Sequence, residues 1–207
     1  MLISYSHKFL FVHLYKTAGN SITSALEPYA YRPGSWRPSN WPTWLTTPRR
    51  LLIHKKPPKH ASAADLQEIL PAEVFQKFFK FAFVRNPWDW QLSLYHYILG
   101  QPGDKMFTHV RSLGSFDAYI RWRETTYRTQ SSMICDNAGK PLVDFVGRVE
   151  NVRDDFSEIC RRIGVKVDLE HRNKSDHAPY RDCYTEETRS IVARIYTEDI
   201  KRFGYSF

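Results

Sequence analysis

The amino-acid sequence predicts an α/β fold in which a central, mainly parallel sheet is flanked by helices. Two apolar, β-prone runs at 8–14 and 78–84 have the composition of strands buried on both faces. A segment with helix-start residues follows each run, and strands that alternate with helices are typical of parallel sheets. At 207 residues the chain has the length of one domain, so we expect a single domain over 1–207.

Local patterns predict the individual elements in order. The strand at 8–14 ends in the small, polar loop 15–20, and a short helix is expected over 21–27. After the strand at 78–84, Asn86 and Pro87 suit the N-cap and the first position of a helix. The other expected elements are helices at 61–70, 116–122, 153–163 (with Gly164 as its stop) and 185–203, and a short strand at 143–146.

The segment 31–60 differs from the rest of the chain, because six prolines interrupt any regular element. Trp36, Trp41 and Trp44 lie among them, which is too aromatic for a solvated linker. We interpret the segment as a long ordered loop or lid over a cleft. A loop that packs its tryptophans on the core is an equally good interpretation.

Composition excludes several classes of protein. No apolar run approaches the length of a membrane span, and residues 1–10 lack the pattern of a signal peptide. Three widely spaced cysteines without a CxxC motif favour reduced thiols in the cytoplasm over a disulfide framework. The formal charge of +8 indicates a polyanionic partner, such as nucleic acid, an anionic membrane or a phosphate- or sulfate-bearing small molecule.

Two constellations carry chemistry. In the first, a loop with Lys16, Thr17 and Ser21 lies between a strand and a helix start, which is a phosphate-binding geometry even though the Walker A spacing is absent. In the second, Arg85 ends a strand and Ser93 lies two turns into the next helix. The guanidinium of Arg85 and the hydroxyl of Ser93 are groups that suit the binding of a phosphate. For either residue considered alone, the simpler interpretation is that Arg85 forms an ion pair with Asp89 and that Ser93 forms a hydrogen bond within its own helix.

Together the two motifs closely resemble the sulfotransferases that use 3′-phosphoadenosine 5′-phosphosulfate (PAPS), especially the carbohydrate-type branch. That family carries H-x-P-K-T-G-G-T-S and V-R-(D/N)-P-x-x-R-x-x-S, which are similar to His13–Ser21 and Val84–Ser93 here. Tyr15 and Ala18 replace a common Pro and Gly, and Gln91 stands where a basic residue is frequent. Similar segments continue at 143–150, 173–175, 180, 184–188 and 195–205, so the resemblance spans nearly the whole chain.

The resemblance implies a P-loop-like sulfotransferase fold and a role for each matching residue. It places the 5′-phosphosulfate of PAPS on the loop of Lys16, Thr17, Ala18, Gly19, Asn20 and Ser21. Lys16 would contact the oxygen that bridges phosphorus and sulfur, where negative charge builds as the bond breaks. Arg85 and Ser93 would bind the 3′-phosphate, and the segment of Lys174 and Ser175 would close over the nucleotide. The product is adenosine 3′,5′-bisphosphate (PAP), and no metal is expected because the cations are side chains.

The acceptor hydroxyl also needs a base, and histidine titrates near working pH. We favour His60, since the related carbohydrate enzymes have a His between the two PAPS motifs. His54 is the second candidate and Glu150 a further one, although Glu150 could equally orient Arg148. His13, at the end of the first strand, is interpreted as a structural hydrogen-bonding residue.

The sequence therefore predicts sulfuryl transfer from PAPS to a hydroxyl, with a glycan or glycolipid as the expected acceptor. A lipid or an aromatic alcohol would also be a suitable acceptor for the Trp-rich segment. The sequence does not indicate an oligomeric state. A nucleotide or small-molecule kinase is the nearest enzymatic alternative, but magnesium ligands and a Walker-type Lys-Ser/Thr pair are not evident. The non-enzymatic alternative is a basic nucleic-acid-binding module, with the three tryptophans of 31–60 stacking on bases. We expect no nucleic-acid partner.

Overall fold

The computed structural model describes residues 1–31, 48, 51–53, 57–169 and 178–207. The chain forms two compact units, each built from two segments. The first unit comprises Met1–Val84 and Ser132–Arg172, and the second comprises Arg85–Ser131 and Asn173–Phe207. Trp36, Trp41, Trp44, His54, Lys174 and Ser175 lie outside the described residues.

The described elements alternate between strands and helices. The strands are β1 (Leu2–Ser4), β2 (Phe9–Val12), β3 (Phe79–Val84) and β4 (Phe145–Arg148). In chain order the helices are α1 (Gly19–Leu26), α2 (Ala63–Ile69), α3 (Ala72–Lys77), α4 (Pro87–Leu99), α5 (Phe107–Ser112), α6 (Phe116–Thr126), α7 (Ser131–Ile134), α8 (Val152–Ile163), α9 (Glu186–Ile195) and α10 (Thr197–Phe203). Short 3₁₀ turns cover Glu27–Tyr29, Val149–Asn151 and Tyr180–Cys183. None of these described helices is long and apolar enough to cross a bilayer.

The sheet of the first unit has the strand order β1-β2-β3-β4. Strands β2, β3 and β4 are parallel, with Phe11 opposite Phe81 and Phe81 opposite Phe145, whereas β1 runs antiparallel to β2. The predicted α/β fold with a mainly parallel sheet is thus confirmed. Because β2 and β3 are parallel and in register, the segments that follow them leave the sheet at the same edge.

Aromatic side chains hold this sheet against its helices. Phe9, Phe11, Phe81 and Phe83 are fully buried, and the rings of Phe11 and Phe81 stack with centroids 5.2 Å apart. The residues that cover them from the helices are Ile22 and Leu26 of α1 and Phe156, Ile159, Cys160 and Ile163 of α8. Each such side chain contributes about 1.5–3 kcal/mol on burial, so the strand end that leads into the loop 15–20 is firmly anchored.

Two caps confirm the predicted helix boundaries. The Asn86 side chain accepts a hydrogen bond from the backbone N–H of Trp88 at 3.1 Å, and Pro87 opens α4. Gly164 ends α8 in the left-handed region, at φ 69°, where a residue without a Cβ is favoured.

The expected continuous helix over 185–203 is wrong, because the chain breaks at Tyr196 with φ −107° and ψ 23°. Apolar residues continue at helical spacing across the break, so the local pattern does not reveal it. Tyr196 is fully buried in the core of the second unit, with its ring centroid 5.7 Å from that of Trp90. The break thus coincides with a residue that packs in this core. The helix expected over 21–27 begins two residues earlier, and β1, α3, α5 and α7 were not predicted.

Candidate active site

The loop after β2 turns through two residues in the left-handed region. Lys16 has φ 57°, and Ala18 has φ 59° and ψ 10° at the N-cap position of α1. Among the described residues no side chain caps this helix, and its first turn contains no acidic residue. The first backbone N–H groups of a helix favour an anion. The loop and the start of α1 therefore fit the phosphosulfate group of a nucleotide such as PAPS.

Some side chains of this loop pack inside the protein, and others lie at its surface. Thr17 is buried, and its hydroxyl donates to the carbonyl oxygen of Leu14 at 3.2 Å, so the Thr17 side chain stabilises the turn. Ser21 is 7% exposed, whereas Asn20 is exposed and accepts a hydrogen bond from Nζ of Lys59 at 3.2 Å. The hydroxyl of Thr17, one of the predicted nucleotide ligands, is thus engaged in holding the loop.

Gly19 allows the start of α1 to lie directly against the imidazole of His13. A Cβ at position 19 would lie 1.9 Å from Nε2 of His13, which no side chain can accept. His13 is 3% exposed, and burial, reinforced by nearby positive charge, lowers its pKa to about 3. The ring is therefore neutral at physiological pH, in keeping with the structural role expected for it.

His60 lies beside the same loop in a defined orientation. Its Nδ1 is 2.9 Å from the backbone oxygen of His13. Because a carbonyl oxygen only accepts, Nδ1 carries the proton, and Nε2 of the neutral ring then carries a lone pair. Burial lowers the pKa of His60 against the opposing effect of this hydrogen bond, and the charge of Lys59 lowers it further. His60 is thus a neutral imidazole whose Nε2 can accept a proton.

Tyr15 covers one face of His60. The two rings stack with centroids 3.6 Å apart and an interplanar angle of 22°, and Tyr15 is 48% exposed. The tyrosine replaces the proline common at this position, and the sequence offered no signal that its ring would meet a histidine 45 positions further along the chain. The structure therefore brings together the loop Lys16–Ser21, His13, Tyr15 and His60.

Arg85 belongs to the second unit and forms the ion pair that the sequence suggested. Its Nε donates to Oδ2 of Asp89 at 2.6 Å, with the two side chains only 11% and 20% exposed. The Arg85 backbone is held as well, because its N–H donates to Oε1 of Gln130 and its carbonyl oxygen accepts from Nε2 of Gln130, both at 2.8 Å. Sequence reasoning missed Gln130, since an isolated glutamine matches no motif.

The remaining predicted residues lie in different surroundings. Ser93 is 3% exposed in the middle of α4. Gln91 is fully buried and its Oε1 accepts from the hydroxyl of Tyr119 at 3.2 Å, so this departure from the family pattern serves the interior of the second unit. Glu150 is exposed in the first unit, in a 3₁₀ turn. Within the described ranges, no group of three or more His, Cys, Asp or Glu could hold a metal ion.

The chain was compared with protein families, with curated proteins and with solved structures. No curated protein matches the chain. The crystal structure of mouse sulfotransferase SULT7A1 complexed with PAP is similar, with 15% sequence identity, a TM-score of 0.48, and coverage of 96% of this chain and 86% of that chain. A family model described as the sulfotransferase family matches residues 1–206. Because that match covers almost the entire sequence, the chain belongs to the sulfotransferase family and is an enzyme that transfers a sulfuryl group from PAPS.

Proposed function

We propose that this sulfotransferase acts on a hydroxyl of a glycan or glycolipid, and that His60 is the catalytic base. The observation that carries the assignment of His60 is the 2.9 Å contact between Nδ1 of His60 and the backbone oxygen of His13. A glycan acceptor is supported by the likeness to the carbohydrate-type branch and by the exposed ring of Tyr15 stacked on His60, since sugar rings pack well on aromatic faces.

In this proposal His60 takes the acceptor proton on Nε2 while the hydroxyl oxygen forms its bond to sulfur. The bond between sulfur and the 5′-phosphate oxygen breaks, its electron pair stays on that oxygen, and PAP is the leaving group. The hydrogen bond from Nδ1 to the carbonyl of His13 becomes stronger as the imidazole gains positive charge. A lowered pKa favours the neutral, proton-accepting form of His60 before the reaction.

The loop of Lys16, Thr17, Ala18, Gly19, Asn20 and Ser21 is proposed to bind the 5′-phosphosulfate. Support comes from the left-handed turn at Ala18 and from the start of α1, which lacks acidic residues. Lys16 is the second catalytic residue of the proposal, because a cation beside the bridging oxygen stabilises the charge that develops there.

Arg85 and Ser93 are proposed to bind the 3′-phosphate. Support comes from the place of Arg85 directly after β3 and from its ion pair with Asp89 through Nε, which orients a guanidinium whose planar shape suits phosphate. Lys174 and Ser175 are proposed to close over the nucleotide. The cytoplasmic location expected from the cysteines also stays a prediction, supported by three thiols that form no disulfide.

Replacing His60 tests the base. We expect His60→Ala to lower kcat by roughly 10²–10⁴-fold, the usual effect of losing a general base. Nucleotide affinity should hardly change, and the acidic limb of the pH–rate profile should disappear. His96→Ala, an exposed position on α4, is the matched control and should retain the wild-type profile. A lower Tm together with a wild-type pH profile in His60→Ala would move the base to His54 or Glu150.

The nucleotide assignment has its own test. PAP should raise the Tm of the wild-type protein, since a ligand that binds only the folded state stabilises it. AMP should do so much less, because it lacks the phosphate assigned to Arg85 and Ser93. Equal shifts with PAP and AMP would contradict that assignment. A screen of glycan, lipid and aromatic hydroxyl acceptors with sulfur-labelled PAPS would then identify the acceptor class.

A further inference from the structure

The backbone of Arg85 is clamped by a single buried side chain. Gln130 is fully buried, and its amide both accepts from the N–H of Arg85 and donates to the carbonyl oxygen of Arg85, each at 2.8 Å. In a β-sheet, a neighbouring strand pairs with the backbone of a residue in the same way, through one donor and one acceptor. Gln130 therefore fixes Arg85 at the point where the chain passes from β3 towards α4.

Asp199 in turn holds the position of Gln130. Its carboxylate is fully buried, with Oδ2 accepting from the N–H of Gln130 at 2.7 Å and Oδ1 accepting from the N–H of Ser131 at 2.8 Å. Two hydrogen bonds to the same carboxyl group define both the place and the orientation of the 130–131 backbone. Asp199 lies in α10, directly after the break at Tyr196, so the broken helix brings a carboxylate to this backbone.

The third contact acts on the guanidinium itself. Asp89 accepts from Nε of Arg85 at 2.6 Å, which limits the rotation of the guanidinium about its own stem. Arg85 is thus held at the backbone by Gln130 and at the side chain by Asp89, and both contacts lie within the second unit.

We propose that Gln130, held in place by Asp199, is a positioning residue that sets the direction of the Arg85 guanidinium, and that this direction gives the enzyme its preference for a nucleotide with a 3′-phosphate. The inference rests on the proposed contact between Arg85 and the 3′-phosphate. A bidentate contact of arginine with phosphate needs a planar fork at a fixed angle, so a small rotation of the Arg85 backbone weakens it.

The alternative is that these hydrogen bonds only stabilise the second unit. The two possibilities differ in the ratio of the Kd for AMP to the Kd for PAP. A purely structural network changes the Tm and leaves that ratio alone, because the ratio compares two ligands on the same folded protein. A positioning network changes the ratio, because only PAP carries the phosphate that Arg85 is aimed at.

The experiment measures both Kd values by titration calorimetry in four variants. Gln130→Met has a similar length and loses both hydrogen bonds. Gln130→Glu retains an acceptor for the N–H of Arg85, and in its ionised form it cannot donate to the carbonyl of Arg85. Thr188→Ala removes a capping box of α9 in the same unit and is the control for stability. Arg85→Ala is the reference for complete loss of the contact.

We expect Gln130→Met to lower the AMP-to-PAP ratio about tenfold, Gln130→Glu to lower it less, and Thr188→Ala to lower the Tm with the ratio intact. A wild-type ratio in both Gln130 variants would overturn the positioning role, and the conservative Gln130→Glu keeps this test valid if Gln130→Met does not fold. An unchanged ratio in Arg85→Ala would instead overturn the proposed 3′-phosphate contact itself, so the two failures are distinguishable.

Discussion

Acid should destabilise this protein through His13 well before most carboxylates are protonated. The His13 imidazole is 3% exposed against Gly19, and burial lowers its pKa from 6.5 to about 3. In the unfolded chain the same ring takes up a proton near pH 6.5. Between these two values the unfolded state binds more protons than the folded state, so the free energy of unfolding decreases as the pH falls.

The size of this effect follows from the two pKa values. At pH 4.5 the solution is two pH units below the pKa of the unfolded chain and still above that of the folded protein. Each unit corresponds to 1.36 kcal/mol, so His13 accounts for a loss of about 2.7 kcal/mol in the free energy of unfolding between pH 7.5 and pH 4.5. That loss is a large fraction of the total stability of an ordinary domain.

Urea unfolding of wild-type protein and His13→Asn at the two pH values measures this loss. Asparagine has no titration in this range, so the variant should lose about 2–3 kcal/mol less than the wild type between pH 7.5 and pH 4.5. Comparing the change with pH, rather than the stability itself, removes the packing cost of the smaller side chain. His96→Asn, at an exposed position of α4, is the control. If His13→Asn and the wild type lose the same amount, the buried neutral imidazole is not responsible.

Three further predictions concern the loop and the start of α4. Lys16→Ala should lower turnover by about 10²–10³-fold in single-turnover assays, because its charge acts as the bridging bond breaks, and an unchanged rate would refute that role. Ala18→Gly should raise the free energy of unfolding by roughly 0.5–1 kcal/mol, since glycine adopts φ 59° without steric cost. A lower free energy of unfolding in a urea titration would contradict backbone strain at Ala18. Nδ2 of Asn86 also donates to the backbone oxygen of Ser206 at 2.8 Å, so the control for the N-cap is Asn86→Ser, which loses that donor but retains a capping oxygen. In urea titrations Asn86→Ala should be less stable than Asn86→Ser by about 0.5–2 kcal/mol, and equal stabilities would contradict the cap.

Sequence reasoning succeeded where the determining interactions are local. Asn86 followed by Pro87, and Gly164 after an amphipathic stretch, each specify a helix end within a few residues. The parallel sheet was predictable because its central strands are continuous apolar runs. The family match over 1–206 also answers the choice between a sulfotransferase, a kinase and a nucleic-acid-binding module in favour of the first.

The parts that sequence reasoning missed depend on contacts between distant segments. The helix breaks at Tyr196, whose ring packs against Trp90, more than a hundred residues earlier in the chain. His60 could be chosen as a base from the sequence, but its tautomer depends on a hydrogen bond to the carbonyl of His13. Nothing in the sequence near either residue indicates that the two are in contact. Gln130 is a single buried amide, and no periodicity distinguishes a glutamine that clamps a backbone from one at the surface.

The largely buried ion pair of Arg85 and Asp89 determines how the site responds to ionic strength. Its side chains are 11% and 20% exposed, whereas those of Arg121 and Glu187 are 50% and 60% exposed, so dissolved ions screen the first pair far less than the second. Because Asp89 already balances the charge of Arg85, Arg85 contributes an oriented contact to a bound anion rather than attraction over a long distance. As salt is added, the exposed basic residues that give the chain its +8 charge lose their pull on an anion, while Arg85 keeps its orientation.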